Sequence, residues 1–146
     1  MPRTTQRVQR DFEDQVDRVN LIVDFDGTGR TGYNFTVSSA GGVYDAVITN
    51  ENNFNKDWDG SWQHAVSEDA AGWSVEMLIP WYTAPMQASR DGQHTIGVYL
   101  DRVIGSTGER DAWPVSSFML PRFLSEFRKI PVPSYSQTLL AVTPYV

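Results

Sequence analysis

Apolar and polar residues alternate along most of this chain, and the alternation predicts strands rather than helices. Val19, Leu21 and Val23 alternate with Arg18, Asn20, Ile22 and Asp24, a first strand partly covered on both faces. Asp26-Gly27-Thr28-Gly29 turns it. Tyr33, Phe35 and Val37 then alternate with Asn34, Thr36 and Ser38 as a half-buried second strand. Ala40-Gly41-Gly42 leads into a third strand from Val43 to Thr49. The two turns are short, so these strands are expected to form an antiparallel meander. Asn50 to Asp59 reads as a loop with Phe54 and Trp58 set into it, and Trp62 to Glu68 alternates weakly. After the turn at Asp69-Ala70-Ala71-Gly72, Trp73, Val75, Met77 and Ile79 alternate with Ser74, Glu76 and Leu78 until Pro80 stops the run. Trp81 to Gly92 is irregular. Thr95 to Val103 forms another strand, with Ile96, Val98 and Leu100 on one side and Gly97, Tyr99 and Asp101 on the other. Residues 105–111 read as a polar loop, and Pro131 and Pro133 as a stiff connector.

Short strands, turn signals and no long helical period predict an all-β fold, an antiparallel β-sandwich of jelly-roll or immunoglobulin-like kind. The expected division is a polar N-terminal arm at 1–17, the sandwich at 18–130, and a linker with a last strand at 131–146. Val8, Phe12 and Val16 are spaced by four in the arm, which suits a helical turn or two.

A length of 146 residues fits one domain, and 40% hydrophobic with 21% charged residues fits a folded one. The net charge of −6 argues against a nucleic-acid partner and, more weakly, against anionic polymers and acidic membranes. The chain has no Cys, which excludes disulfides and thiolate zinc sites. No run approaches the ~18 apolar residues of a membrane helix, and the polar start Met1-Pro2-Arg3-Thr4-Thr5-Gln6-Arg7 carries no signal peptide.

Six pieces follow one another in a distinctive order. They are Asp17-Arg18-Val19-Asn20-Leu21-Ile22-Val23-Asp24, Tyr33-Asn34-Phe35-Thr36-Val37, Gly41-Gly42-Val43-Tyr44-Asp45, Trp58-Asp59-Gly60-Ser61-Trp62, Gly72-Trp73-Ser74-Val75-Glu76-Met77-Leu78-Ile79-Pro80, and Ile96-Gly97-Val98-Tyr99-Leu100-Asp101-Arg102 with Trp113-Pro114. In that order they resemble the family-9 carbohydrate-binding modules and their relatives. The nearest likeness is to the module at the front of bacterial outer-membrane proteins whose C-terminal part is a β-barrel of unknown function. The resemblance spans about Asp11 to Val146. It implies a β-sandwich, binding to poly- or oligosaccharide in connection with polysaccharide breakdown or glycan capture, and a place in the cell envelope. It also implies that the chain starts after the family's first strands and early Trp, and that Leu139 to Val146 leads toward the barrel.

Candidate chemistry centres on Trp58-Asp59-Gly60-Ser61-Trp62. Asp-Gly is a turn signal, so the two rings flank a loop. Flat rings cover the C–H faces of a pyranose while carboxylates, amides and guanidinium groups take its hydroxyls. On that reading Trp58, Trp62 and Trp113 are the platforms, and Arg102, Glu109, Asp45 and Asp59 are the hydroxyl partners. The competing reading has Trp58 and Trp62 capping the end of a β-core. Trp73 and Trp81 read as core, Glu76 as a solvated sheet position, and His64 and His94 as surface or edge residues.

For metals, Asp24 and Asp26 precede Gly27, but a calcium loop of the EF-hand kind needs Gly sixth and Glu twelfth, and here those places fall otherwise. The resemblance implies structural calcium in some relatives, so Asp24, Asp26 and Asp57 stand as weak ligand candidates, with Asp59 as an alternative; no other cofactor is expected. Gly27-Thr28-Gly29 precedes a strand, so it is no phosphate loop. Glycoside hydrolysis needs a carboxylate pair roughly 5–10 Å apart on a cleft, and no pattern singles one out, so the expectation is a non-catalytic module. A third class is an interaction domain that packs on an outer-membrane barrel or associates with itself through edge strands.

Overall fold

A computed structural model describes residues 16–87 and 92–133. Its strands are β1 (Arg18–Asp24), β2 (Thr31–Ser38), β3 (Val43–Thr49), β4 (Asn53–Asn55), β5 (Gln63–Asp69), β6 (Gly72–Leu78), β7 (Gln93–Val103), β8 (Arg110–Trp113) and β9 (Arg128–Pro133). Short 3-10 turns occupy Trp81–Thr83 and Leu124–Glu126. Seven strands make one sheet in the order β4-β3-β2-β1-β7-β8, with β9 also paired to β7, and β5 and β6 form a separate hairpin. Every pairing is antiparallel. The all-β sandwich and the opening meander are thus as the alternation predicts.

The two faces of the large sheet carry two cores. On the inner face Val23, Phe25, Phe35 and Ile96 are buried beneath Trp58, Trp62, Met77, Ile79 and Trp81, so the β5–β6 hairpin and its flanking segments form the second layer. On the outer face Ile22, Ile48 and Tyr99 pack against Phe123, Leu124 and Phe127. These last three come from the segment between β8 and β9, which arches over one half of the outer face. Gly32 permits that close approach: a Cβ there would lie 2.6 Å from Leu124 Cδ2. Glu51 anchors the arch, because its Oε1 accepts from the N–H groups of Phe123 (2.7 Å) and Ser125 (3.1 Å) and from the Ser125 hydroxyl (3.0 Å).

Several boundaries differ from the sequence-based expectation. The segment 50–59 contains β4, whose Phe54 pairs with Ile48; three residues are too few to display an alternation. The segment 105–111 gives way to β8 at Arg110. Pro131 and Pro133 are not a free connector but lie in β9, opposite Thr95 and Gln93 of β7. An edge strand tolerates this because every second N–H points away from its single partner. At the other boundary Val16 and Asp17 are buried. Asp17 Oδ1 accepts from the Gly105 N–H at 2.7 Å and its carbonyl from the Ser39 N–H at 2.9 Å. They therefore belong to the sandwich and not to the arm. The helical spacing expected in the arm and the link expected beyond Pro133 lie outside the described residues.

Candidate functional site

The Trp58–Trp62 stretch is tied into the inner core. The Trp58 ring lies 5.0 Å from Tyr33 and 6.0 Å from Phe35, and Trp62 lies 5.2 Å from Phe35. Both are half-buried. Gly60 serves this packing, since a Cβ there would overlap the Trp58 ring. Asp45 is fully buried on β3. Its Oδ2 accepts from Trp62 Nε1 at 2.8 Å and from the Gly60 N–H at 3.1 Å. A carboxylate so placed organises the Trp loop from inside and offers no oxygen to a sugar at the surface. The packing of this stretch favours the core-cap reading over a pair of exposed platforms at Trp58 and Trp62.

Trp113, Arg102 and Glu109 lie elsewhere. Trp113 is 47% exposed on β8, opposite Leu100, with the Arg128 guanidinium 5.9 Å from its ring centre. Arg102 lies opposite Asp111 and pairs with it at 2.9 Å, both ends exposed, an arrangement worth little to stability. Glu109 is exposed in the loop before β8. Register puts Trp113 and Arg102 on one face, but that patch is three strands from β2, roughly 14 Å at ~4.8 Å per strand. The structure does not join it to Trp58 and Trp62. Asp59 is exposed in the turn between them.

Asp24 is buried and organises its own turn, with Oδ1 accepting from Asp26 N (3.2 Å) and Gly27 N (3.0 Å), and Oδ2 from Gly29 N (2.6 Å). Asp26 Oδ1 accepts from Gln87 N at 2.8 Å and lies 3.5 Å from His94 Nε2. Asp57 sits on a different loop, its N–H donating to Asn55 Oδ1 at 2.9 Å. No group of three or more potential ligands forms among the described residues. Asp24, Asp26 and Asp57 are therefore not brought together.

A recess with converging polar groups lies on the opposite side, on the half of the outer face that the arch leaves open. It has a volume of about 330 Å³. Strand register builds its floor. Tyr44, Thr36, Asn20, Asp101 and Ala112 fall in one row across β3, β2, β1, β7 and β8. A hydrogen-bond chain runs along this row. Asn34 Nδ2 donates to Thr36 Oγ1 at 2.9 Å, the Thr36 hydroxyl donates to Asn20 Oδ1, and Asn20 Nδ2 donates to Asp101 Oδ1 at 2.6 Å. Asp101 Oδ2 accepts from the Tyr99 hydroxyl at 2.7 Å and from Arg110 Nη1. Asp101 is 2% exposed, and Asn34 and Thr36 are also buried. Such a satisfied network is rigid and holds its members in fixed orientations.

The rim adds rings and cations. Phe54, Phe118 and Tyr44 line the recess with Arg18, Lys56 and Arg110. Lys56 Nζ lies 5.8 Å from the Tyr44 ring centre, and the Arg110 guanidinium 5.4 Å from that of Phe118. Burial, and then the bonded Asp101 carboxylate, push the Tyr99 hydroxyl well above its ordinary pKa, so it stays a donor. Partial burial raises the Glu51 carboxyl, but the N–H groups of Ser125 and Phe123, the Ser125 hydroxyl and nearby Arg122 outweigh it and leave the group below its ordinary pKa. The arch that walls the recess is thus held by an ionised anchor.

The floor residues carry a signal in the chain. Asn20, Asn34 and Asp101 stand in strand interiors, and Asn and Asp are depleted from strands. Three of them on one face mark a reason beyond sheet formation. Their alternation with core residues reads equally as an ordinary solvated face, which is how they escape notice. Comparison of the chain with known protein families, with curated proteins and with solved structures finds no match.

Proposed function

We propose that the outer-face recess binds a carbohydrate and does not cleave it. The observation that carries this reading is the row Tyr44–Thr36–Asn20–Asp101 on the recess floor, flanked by the Phe54 and Phe118 rings. Rings cover the C–H faces of a pyranose, and fixed amide, hydroxyl and guanidinium groups meet its hydroxyls. A volume of about 330 Å³ is at the lower end of small-ligand sites, enough for a short saccharide end. Asp101 is the one carboxylate among the described lining residues and is already bonded to Asn20, Tyr99 and Arg110. Hydrolysis through a carboxylate pair therefore finds less support than binding. The resemblance of the ordered sequence pieces to family-9 carbohydrate-binding modules points to the same class, and with it to a cell-envelope setting. The test is calorimetric titration of the folded chain with a panel of soluble oligosaccharides, repeated on Asn20→Ala and Phe118→Ala. Binding that weakens in both variants sustains the reading; a panel without any binding sinks it.

A second reading, an interaction domain that docks on a barrel or another protein, is favoured by the arch tip. Val115 (97% exposed), Met119 (82%) and Leu120 (50%) stand out as apolar side chains in water. A monomeric mass at high protein concentration that Met119→Lys does not alter counts against self-association through this tip.

A further inference from the structure

The recess is chemically one-sided. Arg18, Lys56 and Arg110 line it against the single carboxylate of Asp101, which is buried and paired with Arg110. Register places Arg18 and Arg110 in one row, each opposite Val103 of the intervening β7. Their Cα atoms are therefore two strand spacings apart, roughly 10 Å, and long side chains reach toward a shared point between them. Lys56 marks the opposite flank, beside Tyr44.

Donor arithmetic runs the same way. A guanidinium offers five N–H groups and an ammonium three, and none accepts. Arg110 gives one nitrogen to Asp101. Asn20 Oδ1 already accepts from the Thr36 hydroxyl and its Nδ2 donates to Asp101, and Asp101 accepts at both oxygens. On the floor, Asn20 Oδ1 and both Asp101 oxygens already hold a donor, whereas the cationic groups of the rim can only donate; Arg18 Nη1 gives one such bond to the Val16 carbonyl at 3.4 Å. A neutral sugar hydroxyl needs an acceptor for its proton as well as a donor; a carboxylate needs donors alone. The chain as a whole carries −6, so a cationic recess on it is a local reversal of sign. Fields focus in such a recess. The argument from net charge against anionic partners is thus weaker at this recess than for the chain as a whole.

We propose that the preferred ligand is an acidic saccharide, with a uronate carboxylate held between Arg18 and Arg110 and the pyranose ring against the Phe54 and Phe118 side. The proposal rests on the carbohydrate reading and names its ligand class.

The experiment titrates the full chain with tetragalacturonate, with its methyl ester, which has the same rings without the charge, and with citrate as an anion without a sugar. The acid is expected to bind roughly tenfold or more tighter than the ester, the difference of a charge-assisted bond. The advantage is expected to shrink as salt rises. Arg18→Gln is expected to remove most of it and Lys56→Gln a smaller part, with unchanged circular dichroism, whereas Arg102→Gln on the opposite face leaves it intact. Equal affinity for acid and ester overturns the acidic preference and leaves the carbohydrate reading standing. Citrate binding as tightly as the sugar acid overturns the preference in favour of a plain anion site. Binding by none of the three overturns the proposal. If neutral oligosaccharides also fail to bind, the carbohydrate reading falls with it.

Discussion

Asn20 and Asp101 face each other across the β1–β7 pair, with Asn20 Nδ2 2.6 Å from Asp101 Oδ1. The contact joins two strands that are 81 residues apart in the chain, and it lies at the middle of the recess floor. Asp101 is also where Tyr99 and Arg110 converge. Asp101→Asn keeps the shape but turns one acceptor into a donor facing donors. It is expected to lower stability by about 1–3 kcal/mol and to weaken saccharide binding. Chemical denaturation and calorimetry on the same sample check the two effects.

The arch depends on Glu51. Its carboxyl pKa is depressed in the folded protein, so its contribution is present above the ordinary glutamate range and is lost as pH falls through the folded value. Glu51→Gln removes that dependence. The variant is expected to be the less stable at neutral pH and to converge on the parent as acid protonates Glu51. Denaturation midpoints measured across the acid range would show the convergence; a constant gap between the two proteins would contradict it.

Trp62 and Phe118 are expected to separate stability from binding. Trp62→Phe deletes the Nε1–Asp45 bond and leaves a buried acceptor short of a partner, a loss of about 1–3 kcal/mol, with saccharide affinity unchanged. Phe118→Ala removes a rim ring that is 37% exposed and is expected to cost affinity several-fold, for a ring contact worth about 1 kcal/mol. The reverse pattern in paired melting and titration data would restore the Trp loop as the site.

Tyr99 and Tyr33 resist ionisation. Burial, then Asp101, raises Tyr99; burial, then Asp26, raises Tyr33. A raised pKa in the folded state gives stability that is present below the ordinary tyrosine value and lost as pH rises through the folded one. Alkaline titration followed by tyrosinate absorbance is expected to show a late phase that disappears in denaturant. Loss of that phase in Tyr99→Phe assigns it.

The chain is legible wherever burial is local. The alternation in β1, β2, β6 and β7 shows which side chains turn inward, because a strand's period of two sorts neighbours to opposite faces. The meander follows from its short Gly-rich turns. Short or proline-bearing strands such as β4 and β9 are not legible, since pairing partners far along the chain make them strands. The same holds for the site. Asn20, Asn34, Thr36 and Asp101 look like a solvated face until register lines them up and the arch closes half of that face.

The sequence by itself determined an all-β chain with two differently dressed sheet faces and a rich stock of aromatic rings. Only the tertiary structure decided which rings are core and which face is open. Asp45 draws Trp62 inward, and the Glu51 anchor sets Phe123 and Leu124 over Ile22 and Ile48. The physical reason is range. Alternation is set by neighbours two residues apart, whereas the fate of a Trp or an Asn depends on partners that meet only when distant strands pair.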